Sequence, residues 1–183
     1  MATTRSVRTD PAKDSAVYAV PYLTVPDVGM SRPGSPASIA MALAAHPERW
    51  RPLVDYRTDT RWYRLLEQTG EHEVWLLSWL PGQSTDRHDH GPASGAFAIA
   101  AGTLTERVVA AGPGRSPVEV TRELDAGRCR AFGPRYVHQM INNGSVPAVS
   151  VHVYTPGLAL MNCYRMDLDA LRHTGVEQPG VDW

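Results

Sequence analysis

The sequence predicts a mainly β protein whose strands close into a sandwich or barrel, with helices confined to its N-terminal third. Three observations predict it. From Trp62 to Tyr154 short apolar or alternating runs follow one another at close, regular spacing. That is the pattern of an all-β sandwich or barrel rather than of alternating strands and helices. The runs are parted by turn-forming clusters, Pro81-Gly82, Ala111-Gly112-Pro113-Gly114 and Asn142-Asn143-Gly144. Ahead of them, Ser35-Pro36 reads as a helix N-cap followed by proline at the first helical position.

The elements follow in chain order. Residues 1–34 mix Thr, Arg, Asp, Pro and Gly around one apolar patch, Val17 to Val25, and read as an N-terminal arm. Met1 to Asp10 carries Arg5 and Arg8 with no apolar stretch behind them, which argues against a secretory signal. Residues 35–183 read as one domain, with helices at about 35–55, a barrel at about 61–156 and a C-terminal tail. Ile39, Leu43, Trp50 and Val54 supply an intermittent apolar face, so one or two helices are expected between Ser35 and Asp55. His46, before Pro47, closes the first of them and reads as a surface or capping residue. The candidate strands are Trp62–Leu66, Glu73–Leu80, Ala96–Ala101, Thr103–Val109, Val118–Leu124, Arg128–Phe132, Val137–Ile141 and Ala148–Tyr154. The tail, Met166 to Trp183, is expected to start as a short helix from Asp167 to Arg172 and to end loosely.

Composition narrows the function classes. The chain has 183 residues, enough for one domain with a real core. Its formal net charge is −1, so no basic surplus exists to neutralise phosphates, which argues against nucleic acid as a partner. No apolar run is long enough to span a bilayer. Cys129 and Cys163 stand far apart with no CxxC, and both read as structural or incidental free thiols. A cytoplasmic protein is the expectation, and a monomer is compatible with the sequence, which leaves the oligomeric state open.

One stretch carries chemistry. Gly82 is followed by five residues and then by His88-Asp89-His90; four more separate His90 from Gly95, and six separate Gly95 from Gly102. On a strand, alternate side chains share a face, so His88 and His90 point the same way and can converge on one metal ion. A second stretch starts at Gly127, runs five residues to Gly133-Pro134-Arg135, then two to His138 and three to Asn142. Together the two stretches resemble the paired motifs of the cupin superfamily, Gly-x5-His-x-His-x4-Glu-x6-Gly and Gly-x5-Pro-x-Gly-x2-His-x3-Asn. The resemblance implies a cupin β-barrel, jelly-roll-like, with N-terminal helices, and it makes His138 the third metal ligand beside His88 and His90. Gly95 stands where the motif has Glu and cannot ligate, so three imidazoles would leave a metal its full charge and several open positions. Three-histidine sites accept several metals.

A narrower resemblance covers about Trp62 to Pro156. Ser150, His152 and Tyr154 fall at i, i+2 and i+4 of one strand and share a face, while Val149, Val151 and Val153 take the other. This Ser-x-His-x-Tyr row, with the first motif, resembles the thiol dioxygenases, above all cysteine dioxygenase. The resemblance implies Fe(II) on His88, His90 and His138. It implies L-cysteine and O2 as substrates, cysteine sulfinic acid as product, and a place in cysteine catabolism. Catalysis would rest on Tyr154 held by His152 and Ser150; a rival reading makes His152 a fourth ligand. Trp62-Tyr63-Arg64 resembles the segment that carries the family's carboxylate-binding arginine, which would be Arg64, with Arg61 the rival. Relatives acting on 3-mercaptopropionate have Gln there, so an arginine favours cysteine. Gly95 also stands where mammalian members carry a Cys crosslinked to the tyrosine, so Tyr154 would be an ordinary phenol. Alternatives are a dioxygenase for 3-mercaptopropionate or another small thiol, a non-oxidative cupin metalloenzyme, and a cupin that binds a small ligand without catalysis.

Overall fold

The computed structural model describes residues 32–110, 116–167 and 170–181. The arm expected over residues 1–34 lies outside the described residues except at 32–34. The Ser35 hydroxyl accepts from the Ser38 amide and caps α1, Pro36–Ala44, which is followed by α2, Pro47–Trp50, and a single 3-10 turn.

Everything after that is β. The strands are β1 Trp62–Gln68, β2 Glu73–Trp79, β3 Arg87–Asp89, β4 Ser94–Ala101, β5 Thr103–Ala110 and β6 Val118–Asp125. They continue as β7 Cys129–Phe132, β8 His138–Ile141, β9 Ala148–Thr155, β10 Met161–Asp167 and β11 Ala170–Glu177. One sheet has the order β1-β2-β9-β4-β7 and the other β11-β10-β3-β8-β5-β6, with every pairing antiparallel. The mainly β barrel with N-terminal helices is the expected class. The eight expected strands all form, with bounds shifted by a residue or two.

Of the helix expected from Asp167 to Arg172, residues 168 and 169 lie outside the described residues, and the rest is strand: Asp167 ends β10 and Ala170–Arg172 open β11, where Arg165 faces Arg172 and Met166 faces Leu171. Six residues are too few for a helix without tertiary support. The strand places Leu171 in a buried cluster with Val109, Val137 and Tyr164, and lets Arg172 reach Asp167 at 2.8 Å.

Period-2 alternation sorts the side chains. Leu77, Trp79, Phe97, Ile99, Leu104 and Met140 fill the space between the sheets. Leu76, Ala96, Ala98, Val149, Val151 and Val153 point out of the five-stranded sheet and are covered by Ala37 and Ala40 of α1. Strand β9 is therefore buried on both faces, with β2 and β4 on its two sides.

Candidate metal centre and active site

Three imidazoles meet inside the barrel. His88 lies on β3, His90 directly after it, and His138 opens β8, where it pairs directly with His88. One ligating atom from each lies within 4.8 Å of the others, and all three residues are buried. The ring centroids are 4.9 Å apart for His88–His90 and His88–His138 and 5.2 Å apart for His90–His138.

Hydrogen bonding shows that the trio fits a metal. His88 Nδ1 sits 2.9 Å from the Asp86 carbonyl, and His138 Nδ1 sits 3.1 Å from Glu106 Oε1. Both acceptors require N–H at Nδ1, which leaves a lone pair on Nε2 of each ring. Both nitrogens of His90 are buried without a partner, a costly arrangement for a polar ring that no cation satisfies. Burial, more than the neighbouring imidazoles, pushes His88 down to about 3 and His90 well below the usual histidine range, so both rings are neutral and can donate. Asp89, between them, faces away and accepts from Asn162, from Tyr164 and from the Gly91 amide.

On the facing sheet, Ser150, His152 and Tyr154 of β9 point inward in a row. Trp79 Nε1 donates to Ser150 Oγ at 2.9 Å, Ser150 Oγ lies 2.9 Å from His152 Nε2, and His152 Nδ1 lies 3.4 Å from the Tyr154 hydroxyl. An indole N–H only donates, so Ser150 accepts from Trp79, and its own hydroxyl hydrogen is available to His152 Nε2. With that bond made, His152, whose pKa burial holds well below the ordinary value, is the Nδ1–H tautomer and donates to Tyr154. The Tyr154 hydroxyl hydrogen is left for the cavity. Burial raises the Tyr154 pKa, so the phenol keeps its proton at neutral pH.

The arginine assignment changes. In the β1–β2 register, Trp62 faces Ser78, Tyr63 faces Leu77 and Arg64 faces Leu76. Directly opposed residues share a face, and Leu76 points outward toward α1. Arg64 is accordingly exposed on the outer surface. Arg61 has the inward parity of Tyr63. Its guanidinium lies 4.9 Å over the Trp79 ring, donates to the Ser84 carbonyl at 3.2 Å, and lines the same cavity as His88, His138, His152 and Tyr154. Arg61 Nε is buried and has no partner.

Gly95 explains the missing fourth ligand. A Cβ there would collide with the Val153 carbonyl and lie 2.7 Å from Phe132 Cζ. The Phe132 ring fills that space and stacks on His90, with centroids 4.7 Å apart.

One buried residue went unmarked in the sequence. Glu106 of β5 is fully buried. Besides His138 it accepts from the Tyr136 hydroxyl at 3.0 Å and lies 3.6 Å from Arg130 Nε. Burial works against its charge, but the His138 contact and Arg130 outweigh it and hold the carboxyl below its usual range. The available signal was parity: Leu104, Glu106 and Val108 alternate in phase, and both neighbours are apolar.

Two solved structures share the fold. A conserved protein with a double-stranded β-helix domain from Klebsiella pneumoniae is 22% identical, over 63% of this chain and 94% of that one, with a TM-score of 0.53. A protein from Thermus thermophilus is 20% identical, over 58% and 93%, with a TM-score of 0.51. The barrel is thus a cupin-type double-stranded β-helix. Among the described residues no helix is long and apolar enough to cross a membrane. The sequence model of the family described as cysteine dioxygenase type I matches residues 35–167, which hold every strand but β11, the histidine trio and the Ser150–Tyr154 row. The chain belongs to the cysteine dioxygenase type I family.

Proposed function

We propose that the chain is an Fe(II)-dependent thiol dioxygenase that oxidises L-cysteine with O2 to cysteine sulfinic acid. The observation that carries this reading is a convergence. Around one cavity of about 390 Å³ stand His88 and His138, the His152–Tyr154 pair and the Arg61 guanidinium. Family membership supports the reaction class.

His88, His90 and His138 would hold the metal. Fe(II) there supplies the affinity for a deprotonated thiol and the redox chemistry by which both atoms of O2 reach sulfur. The remaining work falls to the chain. Arg61 presents a planar fork of donors to the substrate carboxylate, and the Trp79 ring beneath keeps that fork in place. The same indole anchors Ser150 through its N–H, so one side chain sets both the carboxylate anchor and the polar row. Tyr154 directs its free hydroxyl hydrogen at the reacting atoms, with His152 fixing the phenol oxygen from behind. Phe132, Trp79 and Met140 keep the floor of the site apolar.

Cysteine is favoured over 3-mercaptopropionate by charge. Asp59, Asp86 and Glu177 line the same cavity as Arg61, and a thiol bearing an ammonium beside its carboxylate complements both signs. The test is O2 uptake by Fe(II)-loaded protein with each thiol, with the sulfinate identified by mass spectrometry. Uptake should favour cysteine, and Arg61→Gln should raise KM for cysteine about tenfold or more, the worth of a charged hydrogen bond. Preference for 3-mercaptopropionate would reassign the substrate. No uptake with any thiol, despite bound iron, would overturn the reading.

A further inference from the structure

The three imidazoles differ in what stands behind them. His88 leans on a backbone carbonyl, His90 on nothing, and His138 on the Glu106 carboxylate. A carboxylate in a barrel core is costly unless it is paired. Glu106 has partners at both oxygens, through hydrogen bonds at Oε1, which also meets His138, and through ion pairing alone at Oε2. Tyr136 donates to Oε1, while Arg130, itself almost wholly buried, lies 3.6 Å from Oε2, with Arg122 at 4.0 Å. These groups come from two strands and one loop, so the carboxylate is held from several directions.

We propose that Glu106 is a positioning residue for the metal centre, acting through His138. The carboxylate locks His138 as the Nδ1–H tautomer, with Nε2 turned to His88 and His90, and its negative charge makes this ring the strongest donor of the three. Carboxylates behind ligating histidines act in this way in general, and their loss costs about 10- to 100-fold in metal affinity. Arg130 and Tyr136 keep the carboxylate oriented, which makes them the outermost layer of the same device. The proposal rests on the metal-site reading above.

The test compares wild type with Glu106→Gln, which keeps an acceptor at the same reach but removes the charge. Because Glu106→Gln strands the Arg130 charge, the variant Glu106→Gln/Arg130→Met removes both charges and keeps the core neutral. The readouts are Co(II) and Fe(II) affinity by titration, the ferric/ferrous potential of the iron-loaded protein, and melting by circular dichroism. We expect both variants to lose about tenfold or more in metal affinity and to show a higher potential, since the oxidised ion loses the most from a missing negative charge. A folded double variant with affinity and potential like wild type would overturn the proposal and leave Glu106 as the counter-ion of Arg130. Wild type that binds neither metal would overturn the metal reading itself, a result distinct from the first because no variant is needed to see it.

Discussion

The two walls of the cavity are built in opposite ways. The polar row comes from a single strand, β9, whose register against β2 and β4 runs unbroken through Ser150, His152 and Tyr154. The histidine trio comes from a three-residue strand, the residue after it, and a strand some fifty positions later, joined by one directly paired couple, His88 and His138. On the first wall the backbone does the aligning, and the side chains bond along the line it sets. On the second the backbone only brings the rings near one another, and their tautomers are set by separate acceptors, the Asp86 carbonyl and Glu106. Alignment through a strand is tolerant of a lost hydrogen bond, whereas alignment through individual acceptors is not.

Substitutions can break that comparison, beginning with the largest effect. His138→Ala or His88→Ala should remove stoichiometric metal and abolish O2 uptake, as read by metal analysis beside the oxygen electrode; full metal content in either would remove that residue from the ligand set. Tyr154→Phe should leave metal content unchanged and lower kcat about 100-fold, the usual loss of one donor aimed at developing charge. Normal turnover in Tyr154→Phe would dissolve the role of the row. Ser150→Ala should cost less, about five- to tenfold in kcat with metal retained, because one neutral hydrogen bond is worth about 1 kcal/mol and β9 still presents His152 and Tyr154. Arg64→Gln should change neither KM nor melting beyond about 0.5 kcal/mol, as expected of an exposed side chain. A KM shift in Arg64→Gln equal to that of Arg61→Gln would restore Arg64 to the site.

How much could be read in the sequence follows the same division. The barrel, the trio and the row were legible because each is written locally, as alternation, turn clusters and His or Tyr at even spacing on a strand. The choice between Arg64 and its rival Arg61 was not, because it depends on the β1–β2 register, and a slip of one residue exchanges the faces of a strand. The β1 ladder also shifts between Leu65 and Glu67, so counting inward from the hairpin gives the wrong parity. Glu106 was hidden beside one charged neighbour: Glu106-Arg107 looks like a solvated edge, and only Leu104 and Val108 on either side disclose its face. The tail failed for a different reason. Its helical look was local, and the partner that made it a strand, β10, had not been recognised as one.

The placement of β9 also bears on how the molecule opens. Amides in the middle of a sheet, covered on both faces, exchange with deuterium only through large openings, while short strands exchange through small ones. Strand β9 is of the first kind, between β2 and β4 and under α1; β3 is of the second. Protection should therefore be deepest at Val149–Tyr154 and shallow at Arg87–Asp89. The fluctuation that frees a metal would leave the Ser150–His152–Tyr154 line folded. Emptying and refilling the centre then becomes a local event, in which the incoming ion meets a wall that never came apart.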